Sequence, residues 1–165
     1  MIFVTVGTHE QQFNRLVEYM DKYSMEHPDE EVVIQTGFST YEPQKASWSK
    51  LYPYKTMVEM VDKARIVITH GGPSSFIMPL QSGKVPIVVP RNYEFDEHVN
   101  NHQVDFCRKV EERQGNIIVV EDVEKLGETI DKYEDIVGMM QNGLESNNEK
   151  FCKEFGKIID ELVRK

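Results

Sequence analysis

The sequence predicts an α/β fold, a doubly wound parallel sheet built as one domain over residues 1–165. Short apolar runs alternate with longer amphipathic segments along the chain, which is the order of strand–helix–strand units in a parallel sheet. The run Val85–Val89 is apolar at almost every position, as in strands that helices cover on both faces. A length of 165 residues suits one domain with its own core, and no repeat or low-complexity linker divides it.

The elements of the amino-terminal half follow from these periods in order. Strands are expected at Ile2–Val6, Glu31–Thr36 and Arg65–Thr69, with a short irregular strand inside Trp48–Tyr54. Helices are expected at Gln11–Tyr23 and Thr56–Ala64. The first helix has one apolar face, formed by Phe13, Leu16, Val17 and Met20.

The carboxyl-terminal half continues the alternation. A helix should begin near Ser74, because a proline suits the first helical turn, and should end near Gly83. The remaining strands are expected at Val85–Val89 and Asn116–Val120, and the remaining helices at His98–Glu112, Val123–Tyr133 and about Leu144 to Val163. The segment 144–165 carries an apolar stripe that either packs on its own domain or is shared with a partner chain.

Composition and charge exclude several classes of function. Apolar residues make up 39% of the chain and charged residues 28%, which is typical of a globular domain. The net charge of −9 argues against nucleic acid and against direct docking on an anionic membrane. Cys107 and Cys152 have neither CxxC nor metal-ligand spacing, so reduced thiols in a cytoplasmic protein are expected. No signal peptide is visible, and no apolar segment reaches the roughly 20 residues of a membrane helix.

Three loops are candidate parts of one site, because ligands of such sheets bind beyond the carboxyl ends of the strands. The loop 69–75 follows a strand and opens a helix. Gly71 and Gly72 would let the backbone approach a phosphate, while the helix amides, His70, Ser74 and Ser75 offer donors. The alternative is a plain strand-to-helix turn that Ser74 caps.

The other two loops offer polar groups at the same edge. Gly7 and Thr8 could hold the far side of a diphosphate, or Thr8 could be a simple helix cap. His9 is a candidate acid or base, with a solvated loop histidine as the alternative. The loop 91–103 is dense in amide and imidazole groups, which suit sugar hydroxyls.

Two histidines of the third loop raise the question of a metal. His98 and His102 are four residues apart and would share one face of the predicted helix, a spacing that can hold a metal ion. No third ligand stands at a fixed offset, so sugar binding is the preferred interpretation and no metal is predicted. A polar helix start without any ligand remains the alternative.

Four segments together resemble a known family. Val4–Thr8, Val67–Ser74, Gly83–Arg91 and Asn101–Gln103 resemble, in this order, the donor-binding C-terminal domain of glycosyltransferase family 28. The likeness is to bacterial capsule and exopolysaccharide half-enzymes and to the catalytic subunit of the dolichol-linked GlcNAc transferase. It spans roughly residues 1–113, and the ordered combination is more specific than any one segment.

The resemblance implies a Rossmann-like domain that is one half of a GT-B glycosyltransferase, with a UDP-sugar as donor substrate and no cofactor. His9 would be the catalytic base. The residues implied in donor binding are Gly7, Thr8, His70, Gly71, Gly72, Ser74, Ser75, Arg91, Asn101, His102 and Gln103. Related enzymes hold the ribose with an acidic residue where the spacing places Met78 here, so the ribose would need another partner.

The resemblance also implies a second chain. A membrane-attached acceptor-binding subunit would complete the enzyme and recruit this cytoplasmic chain to the inner face of the cell membrane. The expected reaction moves a hexose, with galactose favoured, from UDP-sugar to a lipid-diphosphate-linked acceptor in polysaccharide synthesis, with inversion. The alternatives are a non-catalytic nucleotide-sugar-binding or regulatory subunit, and a relative of UDP-sugar epimerases.

Overall fold

The computed structural model describes residues 1–141, which form a parallel sheet covered by helices. The strands are β1 (Ile2–Thr5), β2 (Val32–Gln35), β3 (Ser47–Ser49), β4 (Ile66–His70), β5 (Ile87–Val89) and β6 (Ile118–Val119). The helices are α1 (Asn14–Glu26), α2 (Tyr54–Lys63), α3 (Pro73–Gln81), α4 (His102–Gln114), α5 (Leu126–Asp131) and α6 (Tyr133–Gln141).

The six strands lie in the order β3-β2-β1-β4-β5-β6, and every neighbouring pair is parallel. This is the strand order of doubly wound nucleotide-binding sheets, so the predicted fold class is confirmed. The order reverses between β1 and β4, where Thr5 is level with Thr69. The crevice beyond these two carboxyl ends is where such sheets bind ligands.

The strands are buried on both faces, as their unbroken apolar runs predict. Ile2, Val4 and Ile68 point into one core cluster, together with the apolar face of α1. Phe3 and Val67 point into a second cluster on the other face, against α2. The predicted α1 face is confirmed, since its four apolar side chains are fully buried: Phe13, Leu16, Val17 and Met20.

The segment that follows β5 differs from the prediction. Asn92 caps a short 3₁₀ turn over Tyr93–Phe95, Asp96 adopts a left-handed conformation with φ of 55°, and α4 begins only at His102. His98 and His102 therefore do not share a helical face, and the spacing argument for a metal between them is wrong. Asx capping and a left-handed residue compete with helix formation here.

Two further boundaries were predicted differently. The helix expected at Val123–Tyr133 is a 3₁₀ turn at Val123–Lys125 followed by α5, and a separate helix α6 starts at Tyr133. The helix expected from about Leu144 to Val163 lies outside the described residues. Within residues 1–141, none of the helices is both long enough and apolar enough to cross a membrane.

Candidate functional site

The loop after β1 and the loop after β4 touch at His70. Gly7 has φ of 75°, a conformation that favours glycine, and a β-carbon added there would stand 2.3 Å from His70 Nε2. A β-carbon at Gly72 would stand 2.3 Å from His70 Cε1. The imidazole therefore fills the space between two glycines, and both must lack a side chain for this packing.

Both ring nitrogens of His70 are used inside its own loop. Nδ1 accepts from the Gly72 amide at 3.0 Å, and Nε2 lies 2.7 Å from Ser75 Oγ. Burial, with the positive charge of Arg91 adding to it, lowers the pKa of His70 from 6.5 to about 4, so the ring is neutral near pH 7. An Nδ1 that accepts leaves the proton on Nε2, which donates to Ser75 Oγ.

The expectation that His70 donates to a phosphate stays a prediction, although both ring nitrogens already have partners within the loop. The one ring proton of His70 is committed to Ser75 Oγ, which leaves the Ser75 hydroxyl proton directed elsewhere. His70 shapes the loop, and the serine presents the donor. The Gly72 amide is likewise committed, since it donates to His70 Nδ1.

Gln103 joins the loop after β4 to the loop after β5. Its Oε1 accepts from the Gly71 amide and from the Arg91 amide, at 3.1 Å each. A β-carbon at Gly71 would stand 3.0 Å from Gln103 Cβ and 2.9 Å from Cys107 Sγ, so this glycine also permits a close contact. The side-chain carbonyl of Gln103 is thus occupied, whereas its amide nitrogen has no hydrogen-bond partner among residues 1–141.

The amino terminus of α3 is open toward the same edge. Gly72 is the N-cap residue without a side-chain cap, and Pro73 occupies the first turn as predicted. Ser74 is exposed, and its hydroxyl makes no hydrogen bond within the described part of the chain. Pro73 has no N–H and the Ser75 amide donates to the Gly72 carbonyl at 3.0 Å, so the Ser74 amide, the positive end of the helix dipole and two serine hydroxyls are the groups here that suit an anion.

Arg91 lies beneath the loops rather than on their surface. It is fully buried, and its guanidinium donates to four backbone carbonyls, those of Val6, Gln11, Gln12 and Glu97, at 2.8–3.1 Å. The expectation that Arg91 touches the donor is therefore corrected, because its side chain is enclosed by protein. It fixes the loop after β1 to the loop after β5.

A second arginine holds the same region, and the sequence alone did not reveal it. Arg15 pairs with both carboxylate oxygens of Glu97, at 3.0 and 2.9 Å, and the Glu97 side chain is fully buried. Glu97 also accepts from the Asn92 amide at 3.0 Å. Arg15 and Glu97 are 82 residues apart, so no local pattern links them. Such a fixed two-point pair orients the loop 91–98 with precision.

His9 is paired with His98, which the sequence analysis considered only as a possible metal ligand together with His102. The rings of His9 and His98 lie with centroids 4.9 Å apart and planes 39° apart. His9 Nδ1 accepts weakly from the Gln11 amide at 3.3 Å. Burial, followed by the positive charge of Arg91, lowers the pKa of His9, so this ring is also neutral near pH 7. His98 Nδ1 is buried and has no partner within residues 1–141.

The remaining predicted residues lie at this edge without direct contacts to one another. Thr8 is exposed. Asn101 is exposed and accepts from the Tyr93 amide at 2.9 Å. His102 is exposed in the first turn of α4, where its own amide donates to Asn100 Oδ1 at 3.0 Å. Across residues 1–141, no group of three potential His, Cys, Asp or Glu ligands lies close enough together to hold a metal.

Met78 packs inward. It is partly buried against the second core cluster, which contains Phe3, Val61 and Val67. Trp48 and Tyr52 also contribute to the cores, Tyr52 with an edge-on contact to Phe3 at 6.3 Å.

Comparison with known proteins agrees with this geometry. The model of the glycosyltransferase family 28 C-terminal domain matches residues 1–162. No curated protein matches the chain. The glycotransferase of kitacinnamycin has a similar fold, with a TM-score of 0.53 and 19% identity over 74% of this chain and 30% of that one. The glycosyltransferase SnogD from Streptomyces nogalater gives a TM-score of 0.49 and 18% identity over 73% of this chain and 31% of that one. The chain spans less than a third of the length of these glycosyltransferases.

Proposed function

Because the chain belongs to the family of glycosyltransferase family 28 C-terminal domains, we propose that it is the donor-binding catalytic subunit of a two-component inverting glycosyltransferase. The family and the fold support a sugar transferase. The observation that carries the finer proposal is the junction of three loops, where Gly7 contacts His70 and Gln103 bonds to both Gly71 and Arg91. These loops face the uncapped amino terminus of α3.

The proposed donor is a UDP-sugar whose diphosphate lies at that helix terminus. The amide and hydroxyl of Ser74 and the hydroxyl of Ser75 would donate to phosphate oxygens, since His70 already satisfies the acceptor side of Ser75. The helix dipole adds a positive potential where negative charge collects on the leaving UDP. The Gln103 amide nitrogen and the exposed Asn101 and His102 side chains would contact the sugar.

The proposed reaction is a single displacement with inversion. The oxygen of an acceptor hydroxyl forms a bond to the anomeric carbon while the bond from that carbon to the phosphate oxygen breaks. The electron pair leaves with UDP, and the hydroxyl proton passes to a base. The transition state would have oxocarbenium character, as in other glycosyl transfers.

His9 is the proposed base. A neutral imidazole near pH 7 is one requirement, and the lowered pKa of His9 meets it. In the resting arrangement the Gln11 amide occupies Nδ1, which leaves the proton on Nε2. His9 would therefore accept the acceptor proton at Nδ1 after releasing the Gln11 amide, a weak bond at 3.3 Å.

The acceptor side would come from another chain. We propose that a membrane-attached subunit binds a lipid-diphosphate-linked sugar and recruits this chain to the inner face of the cell membrane. A hexose, with galactose favoured, would be moved in capsular or exopolysaccharide synthesis.

Calorimetric titration with UDP tests the donor site. Ser74→Ala combined with Ser75→Ala should weaken binding by about 1–3 kcal/mol, the usual cost of losing hydrogen bonds to a charged group. Ser82→Ala is the matched control, because Ser82 caps the opposite end of the same helix and bonds to Asp62. Equal affinity for UDP in both variants would show that the diphosphate does not bind at the amino terminus of α3.

Transfer of radiolabelled sugar, measured with and without a candidate acceptor subunit, tests the enzymatic role. We expect transfer only when both chains are present. If the complex forms and binds UDP-sugar but transfers nothing to any lipid-linked acceptor, the chain is a non-catalytic nucleotide-sugar-binding subunit.

A further inference from the structure

The histidine pair beside the α3 terminus has a feature that the proposed chemistry does not use. The His98 ring lies against the His9 ring in a tilted arrangement, with centroids 4.9 Å apart and planes 39° apart, and no hydrogen bond between the two rings is found within residues 1–141. The Nδ1 atom of His98 is buried and has no partner within residues 1–141. Because no hydrogen bond joins the two rings in the described part of the chain, His98 contacts His9 by packing alone.

The backbone that carries His98 is held firmly. Arg15 donates two hydrogen bonds to the carboxylate of the neighbouring Glu97, and the Glu97 carbonyl accepts from Arg91 at 3.1 Å. Arg91 also donates to Gln11 and Gln12, which follow His9 in the chain. One buried guanidinium therefore fixes both histidine-bearing loops relative to each other.

We propose that His98 is a positioning residue for His9: its imidazole holds the His9 ring in place and shields one face of it from water. Within residues 1–141, the hydrogen bond that the His9 ring makes is the weak one from the Gln11 amide. A single bond to one ring nitrogen leaves the ring free to rotate about its χ angles, whereas a neighbouring ring in contact with it restricts that rotation. A base must keep its position within about half an ångström to work well.

The contact between the two rings also affects the pKa of His9. Burial is the largest cause that lowers the pKa of His9, followed by the charge of Arg91 and then by His98, while its neighbour Glu10 raises it. His70, from the end of β4, lies near enough for His9 to affect its pKa, and is itself neutral. Because the His98 ring contributes to the burial of His9, removal of that ring should raise the pKa of His9 toward the ordinary value.

Two variants separate positioning from direct chemistry. His98→Ala removes the ring, whereas His98→Phe keeps an aromatic plane but has no nitrogen. The pKa of His9 is followed by NMR titration of the imidazole resonances in the full chain without any substrate. We expect it to rise in His98→Ala and to rise less in His98→Phe, which keeps the burial but loses the charge of His98. His27→Gln is the control, since His27 stacks on Tyr23, away from this pair.

Kinetics with the acceptor subunit give a second readout, which rests on the proposed function. Turnover needs a neutral His9, so it rises with pH through the pKa of His9. In His98→Ala the acidic limb should move to higher pH and kcat should fall at all pH values, with little change in the KM for UDP-sugar. His98→Phe should bring the limb back toward its wild-type position and restore most of kcat.

The outcomes are distinguishable. An unchanged His9 pKa in His98→Ala overturns the positioning role, whatever the activity. A His98→Phe variant as inactive as His98→Ala also overturns it, because a nitrogen of His98 would then take part in the chemistry. If no transfer occurs at all, the proposed function fails, and the NMR titration still decides whether His98 positions His9.

Discussion

The imidazole of His70 lies directly against Gly7, so close that a β-carbon at Gly7 would stand 2.3 Å from His70 Nε2. This contact joins the carboxyl ends of β1 and β4, the two strands at which the sheet order reverses. It makes the loop after β1 and the proposed diphosphate loop, residues 69–75, one surface. The shape of that surface depends on Gly7 having no side chain.

Gly7→Ala should therefore damage both folding and donor binding. Alanine at φ of 75° costs about 1–2 kcal/mol by itself, and the collision with His70 adds to this cost. Gly83→Ala is a matched control, because Gly83 has φ of 72° and a β-carbon there would meet nothing within 4 Å. Urea unfolding should show a larger loss in Gly7→Ala, and UDP titration should show weaker binding in that variant alone. Equal losses in the two variants would mean that the collision relaxes without cost.

Gln103 should affect the nucleotide as well as the sugar. Because its Oε1 bonds to the amides of Gly71 and Arg91, Gln103→Ala leaves two backbone donors without their partner. We expect lower stability and weaker binding of both UDP and UDP-sugar. The sequence alone suggested that only the sugar would be affected, since an Asn-His-Gln segment offers no sign of an internal bridge.

Gln103→Glu distinguishes the role of the side-chain oxygen from the role of the amide nitrogen. It keeps an oxygen acceptor for both amides and loses the amide nitrogen. UDP affinity measured by calorimetry should stay near that of the wild type, whereas the extra affinity for UDP-sugar over UDP should decrease. If UDP binding falls as far as in Gln103→Ala, an oxygen at this position does not suffice to hold the loops together.

Stability should depend on pH through His70. Its pKa is 6.5 unfolded and about 4 folded, so the unfolded chain binds the proton more tightly. The stability that comes from keeping the ring neutral is complete above pH 6.5 and is lost progressively as the pH falls toward 4. A shift of this size corresponds to about 3 kcal/mol. His70→Gln should lack this part of the pH dependence.

The measurement compares the loss of stability on acidification in the wild type with the same loss in His70→Gln. Urea unfolding of the wild type and of His70→Gln at neutral pH and near pH 4 removes the contribution of the carboxylates, which both proteins share. The wild type should lose more stability on acidification than the variant does. Identical losses would show that His70 is protonated in the folded state without a penalty.

The sheet and the α3 terminus were predictable from the sequence because they depend on local signals. Apolar runs mark strands that are buried on both faces, and Pro73 after two glycines marks the start of a helix. The segment 91–101 was not predictable in the same way. Its conformation is set by Asn92 capping a 3₁₀ turn and by Glu97, whose side-chain partner Arg15 lies on α1.

The placement of site residues shows the same division. The sequence identified the loops that meet at the carboxyl edge, since parallel strands bring their ends to one side. It could not tell a buried arginine from one that faces a ligand, and Arg91 was assigned accordingly. It also missed His98 as a neighbour of His9, because the predicted helix placed that side chain with His102.

Arg91 offers the sharpest test of how the loops are held. Its guanidinium donates to four carbonyls from the loops after β1 and β5, and its planar face lies 4.8 Å from the centre of the Phe13 ring. Its pKa is lowered to about 10 by burial, so it is still charged at neutral pH. Arg91→Lys keeps the charge but loses the planar fork, because one ammonium cannot reach carbonyls that surround a guanidinium.

We expect Arg91→Lys to lower the free energy of unfolding by about 2–4 kcal/mol, from lost hydrogen bonds to a charged group and unpaired carbonyls. Arg108→Lys is the control, since Arg108 is exposed and pairs with Glu121 at the surface, where solvent weakens such a contact. UDP affinity should fall with Arg91→Lys although the side chain is enclosed, because the loops that it joins shape the site. A variant that is destabilised but binds UDP as the wild type does would show that the α3 terminus alone holds the diphosphate. A variant as stable as Arg108→Lys would show that the four carbonyls find other donors, and the buried guanidinium would then have no role in fixing the loops.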